Sequence, residues 1–533
     1  MKRNIYSLHG ILLLAATVFA ALLAAGLCSC RGLCSSGNDA GSASVALYIS
    51  DAAAQKLLAP ARAAETGSLE QLSGMYITVA LGGDYHARKT ARITGGMSVS
   101  FDGVPAGIGV YAEAVIYVQL AGGIQAVIYE GRSQTISVKE GSNVLSLPMG
   151  AGAESLHFIF VSGSGSSTGD GSYAAPYASL SEAAARIIET ADDDADYTIC
   201  ISGTLTGTQE LSAALNGMAQ SIILVGMHGK GTDGSWQDVL KGAENPDDST
   251  AVTALTVSTS VPVVMSNMQV TGGYYGIGFY GTPQCAGILI GEDAVFTMMS
   301  GEVSGNTVIT AADPTVCGGG ICNKGTFTMA GGTVSGNSAQ ANSGTAYGGG
   351  VCNTGTFTMT GGTISGNTAQ GSEGAGGKAS GGGVYNAAGA TFALAGGTVS
   401  GNTSTACSTA YGGGITNEGT FSMLNGAVSG NTASAPEDSG SAMGGGIYNT
   451  GNAIMMNGTI SGNKTEGGNS SLGGGVFVFN KASTIFQMMN GSITDNSVTG
   501  TAENKKGPDV FALDLTKFVK TGGTVGTEPE TSD

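Results

Sequence analysis

Residues 348–367 read Gly348-Gly349-Gly350-Val351-Cys352-Asn353-Thr354-Gly355-Thr356-Phe357-Thr358-Met359-Thr360-Gly361-Gly362-Thr363-Ile364-Ser365-Gly366-Asn367. Phe357 and Met359 alternate with Thr356, Thr358 and Thr360. A period of two sends successive side chains to opposite faces of a strand. Thr, Val and Ile suit strands, and the glycine clusters would break helices. The unit therefore offers three short strands, over 348–353, 356–359 and 363–367. Its closing asparagine recurs at Asn306, Asn337, Asn367, Asn402, Asn431, Asn463 and Asn496, at intervals of 31, 30, 35, 29, 32 and 33 residues. A period near thirty marks a solenoid. Three strands per unit make one coil of a parallel β-helix, and coils stacked ~4.8 Å apart give a rod on the order of 50 Å long.

Stacking assigns roles to the columns. Ile321, Val351, Val384, Ile415, Ile447 and Val476 form one; Phe296, Phe327, Phe357, Phe392 and Phe421 form another, with Met298, Met329, Met359, Leu394 and Met423 beside it. These fill the interior. The seven asparagines read as a structural ladder, because Asn tolerates left-handed backbone angles and its amide bonds along a stack. Composition agrees. The 533 residues include 91 glycines and are 41% hydrophobic, which excludes disorder, while collagen's every-third-glycine pattern is absent. Net charge is −18 with only 11% charged residues, so nucleic acid is excluded as a partner.

The amino terminus carries an address. Lys2 and Arg3 precede an apolar run from Ile11 to Leu27, a secretory pattern too short for a membrane span. Leu27 and Ser29 before Cys30 resemble a bacterial lipobox, although Cys28 fills the position between them. Cys30 is the expected lipid-bearing residue, with Cys28 and Cys34 as alternatives. Residues 1–30 thus read as a lipoprotein signal peptide and 31–44 as a flexible tether. Over 45–150 about seven short alternating segments separated by Gly-rich turns suggest a small β-sandwich of immunoglobulin-like or transthyretin-like pattern. Ser179 and Glu182 have capping-box spacing, so a helix is expected to start there, with Leu180, Ala184, Ile187 and Ile188 as its apolar face. Asp192, Asp193, Asp194 and Asp196 read as a solvated turn that stops it, since a contiguous run does not converge on calcium.

Two phrases carry a family resemblance. Asp170-Gly171-Ser172-Tyr173-Ala174-Ala175-Pro176-Tyr177-Ala178-Ser179-Leu180 is similar to the phrase that precedes a capping helix in many extracellular β-helix proteins. The thirty-residue units resemble the tandem repeats of parallel β-helix surface proteins, including polymorphic outer-membrane proteins and adhesins of the pectin-lyase-like superfamily, over roughly 157–510. Where polymorphic outer-membrane repeats carry Phe-x-x-Asn, this chain has Phe-Thr-Met-x. The resemblance implies an all-β chain with a right-handed parallel β-helix over 156–515, repeats from about 291 to 500, a short capping helix and a C-terminal tail over 516–533. It does not imply one activity, because that superfamily holds lyases, hydrolases and binding proteins.

Catalytic chemistry is sparse. Uronate lyases of that superfamily use a basic residue, usually Arg, but the last Arg is Arg186 and the last His is His228. Glu302 and Glu418 fall in different columns, and Lys324 shares a column with Glu418 three coils away. Cys322 and Cys352 are equivalent in successive units; a disulfide and plain surface variation both fit, and two thiols without His are too few for zinc. Tyr274, Tyr275 and Tyr280, with Phe279, could stack on sugars or fill the coil. No catalytic residue, metal or cofactor is expected. The chain reads as an envelope or surface lipoprotein, held to the outer membrane by its lipid, that binds a host, matrix or glycan ligand through segments between coils, such as Asn306 to Gly318. A polysaccharide-active enzyme and a structural envelope protein are the alternatives.

Overall fold

The computed structural model describes residues 42–48, 75–92, 98–119, 125–139, 141–146, 157–173, 175–243, 251–276, 285–310, 315–372, 376–435, 438–501 and 504–531. Alternation of apolar and polar residues produces five strands per coil in the repeat region. Around Phe357 these are Thr345–Tyr347, Val351–Asn353, Thr356–Met359, Thr363–Ser365 and Thr368–Gln370. Each pairs in parallel with its equivalents in the coils before and after, giving sheets of seven, ten, twelve, eleven and nine strands.

Three of these sheets enclose the core: the twelve-stranded first wall, the eleven-stranded second wall and the ten-stranded third wall. Register is residue-for-residue, with Phe327, Phe357 and Phe392 paired in line. The rings of Phe327 and Phe357 stack at 4.8 Å, and those of Phe357 and Phe392 at 4.7 Å. Val351, Phe357, Met359 and Ile364 are wholly buried in one continuous cluster running the length of the rod.

The other two sheets differ from the expectation of free segments between coils. Ser338–Ala341 and Thr345–Tyr347, with their equivalents, build an outer arm of two sheets. Ala339, Ala341, Ala346, Ala369 and Ala379 are fully buried between them. Alanine is small enough to let two sheets close in a thin layer, and the 29–35 residue period leaves room for both strands.

Two asparagine ladders hold the corners. In the expected one, Asn367 donates from both its backbone N–H (3.0 Å) and its Nδ2 (2.9 Å) to Oδ1 of Asn402, while Nδ2 also donates to the carbonyl of Val334 at 2.9 Å. The pattern repeats from Asn306 to Asn496 and ends on buried Asp509, whose Oδ1 accepts from Asn496 and whose Oδ2 accepts from Thr527. The second ladder, Asn323, Asn353, Asn386, Asn417 and Asn449, links amide to amide at 2.7–2.8 Å. The triple glycines follow from crowding at the base of the arm. A Cβ on Gly350 would lie 2.7 Å from the Gly383 carbonyl oxygen and 2.9 Å from Asn367 Nδ2.

At the amino end, Ser42–Tyr48 lies between Ser98–Pro105 and Gly141–Ser146, and a second, antiparallel sheet runs Ala87–Arg92, Met75–Gly83, Gly109–Gln119, Gln125–Arg132. Ser42 to Ser44, read as tether, are therefore strand. Helix α1, Leu180–Glu189, is capped by Ser179 with a complete capping box. It buries Leu180, Ala183, Ala184 and Ile187 over the first coils, but Ile188 is turned outward and exposed. The aspartates do not form a turn: Asp192–Ser202 is one strand with its acidic end exposed. Nor do residues 516–531 form a tail. Phe518–Lys520 and Thr524–Val525 add last strands to the first and second walls, and Glu530 pairs with the final third-wall strand.

Candidate functional site

The arm and the third wall face each other across a groove. In four successive strands of the seven-stranded arm sheet the middle residue is a buried alanine, Ala346, Ala379, Ala410 or Ala442, so the flanking residues, Thr345 and Tyr347 and their equivalents, point the other way. The third-wall strands turn their outer residues, Val351 and Asn353, inward and so present Cys352, Tyr385, Thr416, Tyr448 and Phe477 to the same space.

One end of the groove is filled by sulfur. Cys317 of the arm forms a disulfide with Cys352 of the next coil, with Cα atoms 5.8 Å apart. Cys322, expected beside Cys352, does stack on it but keeps a free buried thiol that donates to the Cys317 carbonyl. The disulfide thus pins arm to wall, and the pairing departs from both sequence readings because Cys317 was not placed on a strand. The bridge closes a 35-residue separation, for which chain entropy gives about 3–4 kcal/mol. Cys352→Ser should lower stability by about that amount in denaturant titrations, and added reductant should lower the wild type to the same level without moving the variant.

The other end is filled by apolar side chains, Leu472, Phe477 and Phe511, with Tyr448 at their edge. Between the two lies a cavity of about 280 Å³. Tyr347, Tyr411, Tyr448 and Phe479 supply its aromatic surface, Lys378 and Lys481 its positive charge, and Glu418 its carboxylate. The tyrosines are braced in pairs across the groove: Tyr347 against Tyr385 at 4.4 Å, and Tyr411 against Tyr448 at 4.5 Å. Thr450 also lines it, and its buried Oγ1 has no hydrogen-bond partner. Buried hydroxyls are normally satisfied.

Burial pushes the phenols of Tyr347, Tyr385, Tyr411 and Tyr448 up, and the negative charge of Glu418 adds to it. The phenols therefore stay protonated and act as hydrogen-bond groups rather than bases. Among the described residues Glu418 is the one carboxylate lining the cavity, whereas glycoside hydrolysis uses two. The arrangement is equipped to bind.

The residues singled out from sequence fall elsewhere. The asparagine ladder is wholly internal. Tyr274 and Tyr275 form a half-buried two-residue strand, with Tyr275 packed on the arm alanines. Tyr280, Phe279, Cys28, Cys30 and Cys34 lie outside the described residues. No group of three or more metal-ligating side chains occurs among the described residues. Tyr347 and Tyr411 were missed; the signal was there, as a Thr-Ala-Tyr triplet preceding two of the triple glycines.

A separate node sits on the second wall. Buried Asp238 accepts from the backbone N–H groups of Gly203, His228 and Gly229, and from the His228 ring at 2.9 Å. That side-chain bond raises the His228 pKa above 6.5, against the opposing effect of burial. A raised histidine stabilises fully below its ordinary value, and the contribution fades as pH rises through the folded value. Amide exchange over 227–238 should therefore be slower at about pH 6 than at about pH 9 after correction for intrinsic rates, and a His228→Gln variant should lose that difference.

Among known proteins, no family model, no curated sequence and no solved structure matches this chain. The groove itself therefore carries the functional reading.

Proposed function

We propose that this protein is a lipid-anchored binding scaffold of a bacterial envelope, displayed at the outer-membrane surface, whose ligand site is the aromatic cavity between arm and third wall. The observation that carries the reading is the cavity's composition: four aromatic rings, two lysines, one carboxylate and a buried hydroxyl left without a partner. Ligand sites are typically apolar concavities with a few convergent polar groups. A solenoid suits the role because its stacked coils hold such groups on a rigid, extended surface. The basic-then-apolar amino terminus ending at Cys30 supports the anchor. The likeness of the repeats to surface adhesins supports the display.

Two measurements test it together. Cells fed a labelled fatty acid should label the wild type and not Cys30→Ala. Protease added to intact cells should remove the rod. An unlabelled wild type ends the anchor, and full protection from protease ends surface display.

A further inference from the structure

We infer that the cavity takes a phosphocholine group, with its quaternary ammonium between Tyr347 and Tyr411 and its phosphate on the lysine-bearing rim, a step that rests on the groove being the ligand site. Side chains of arm and wall meet across the groove in tiers. Cys317 meets Cys352 of the next coil, Tyr347 meets Tyr385, Ser380 meets Thr416 hydroxyl to hydroxyl at 3.2 Å, and Tyr411 meets Tyr448. The Ser380–Thr416 tier is small, so it leaves an opening between two aromatic tiers. Tyr347 and Tyr411 stand two coils apart across that opening, ~9.6 Å by the strand spacing. A cation midway lies ~4.8 Å from each, inside the ~6 Å over which an aromatic face attracts positive charge.

The charges carry the rest. Glu418 is half-buried beside these rings, and its negative charge acts on the phenols of Tyr347, Tyr385, Tyr411 and Tyr448 alike. Lys378 and Lys481 line the same cavity but are exposed. Among the described residues neither lysine forms an ion pair, with Glu418 or with any other carboxylate. The cavity therefore holds both signs of charge and keeps them apart. A bare cation meets the lysines and a bare anion meets Glu418, whereas a zwitterion suits both. A quaternary ammonium is the end that enters, because it has no N–H to leave unpaired against ring faces. The phosphate then stays at the rim, and whatever it is esterified to continues outward into solvent. Thr450 Oγ1 is more than nine-tenths buried, lines the cavity and lacks a partner, so a phosphate oxygen completes it. At about 280 Å³ the cavity lies at the small end of ligand sites, which run from about 300 Å³ upward, and holds a head group rather than a polymer.

Calorimetric titration of the full-length protein with phosphocholine, choline, inorganic phosphate and phosphoethanolamine reads this chemistry. Phosphocholine should bind about tenfold tighter than each of the others, since each lacks one charge or the methyl groups that face the rings. Glu418→Gln should weaken phosphocholine about tenfold and leave the thermal midpoint unchanged. Lys378→Ala combined with Lys481→Ala should remove its advantage over choline. Two sources present the group, a soluble ester and a lipid headgroup. Capture by phosphatidylcholine vesicles and not by phosphatidylglycerol vesicles assigns the headgroup, and phosphocholine binding without such capture assigns the soluble ester. Any other probe binding as tightly as phosphocholine, or no binding of any probe, overturns the inference alone. Phosphocholine binding that survives both variants overturns the groove as the ligand site as well.

Discussion

Replacing Asn402 with alanine should lower the unfolding free energy by about 3–9 kcal/mol. The figure follows from three orphaned groups. The backbone N–H and one Nδ2 hydrogen of Asn367 lose the Asn402 oxygen, and the carbonyl of Ile364 loses the Asn402 amide. All three sit inside the rod, where an unmade bond to a buried group costs about 1–3 kcal/mol. The exposed Asn490 is the control; its change to alanine should stay within about 0.5 kcal/mol. Equilibrium denaturation of the two variants checks the ladder directly, and an Asn402→Ala shift no larger than the control's would mean that the amides do not bridge the coils.

The phenylalanine column should be comparably sensitive. Phe392 is wholly buried, with Phe357 at 4.7 Å on one side and Phe421 at 5.3 Å on the other. Phe392→Ala removes the ring from both stacks and leaves a cavity, at a cost of about 3–5 kcal/mol. Phe392→Leu keeps most of the volume and should lose clearly less. Because each coil touches only its neighbours, the damage should be local, and proteolysis of the alanine variant should open around residues 356–423 before the capped amino end of the rod. Uniform cleavage along the chain would contradict nearest-neighbour stacking.

Sequence made the three core walls legible because their signals are strong. Phe357, Met359, Ile364 and Val351 are large, alternate cleanly and recur in register, and all lie in the core. The arm was opaque for the complementary reason. Strands of it such as Ser338–Ala341 and Thr368–Gln370 bury only alanine, and small residues among Ser, Thr and Gln give almost no hydrophobic alternation. Alanine is also depleted from strands in general. What could have revealed them is the column itself: Ala346, Ala379, Ala410 and Ala442 hold one position through four coils. Missing the arm hid the groove, because Tyr347, Tyr411, Lys378 and Cys317 all belong to it. Likewise Tyr385 and Tyr448, which stand at the Cys322 position in later coils, acquire a role only once a facing sheet exists. The Asp192 to Asp196 run was misread because charge suggests a turn, yet an exposed strand end bears it without penalty when the second half, Tyr197 to Ile201, is buried.

The arm is therefore the central claim, and amide hydrogen exchange tests it most directly. The strands 338–341, 345–347, 368–370, 378–380, 403–405, 409–411, 432–435 and 441–443 should be protected to a degree comparable with the Phe-bearing strands 356–359 and 391–394, because they pair with neighbouring coils. Exchange of those segments at the rate of free loops would remove one wall of the groove, and with it the ligand site.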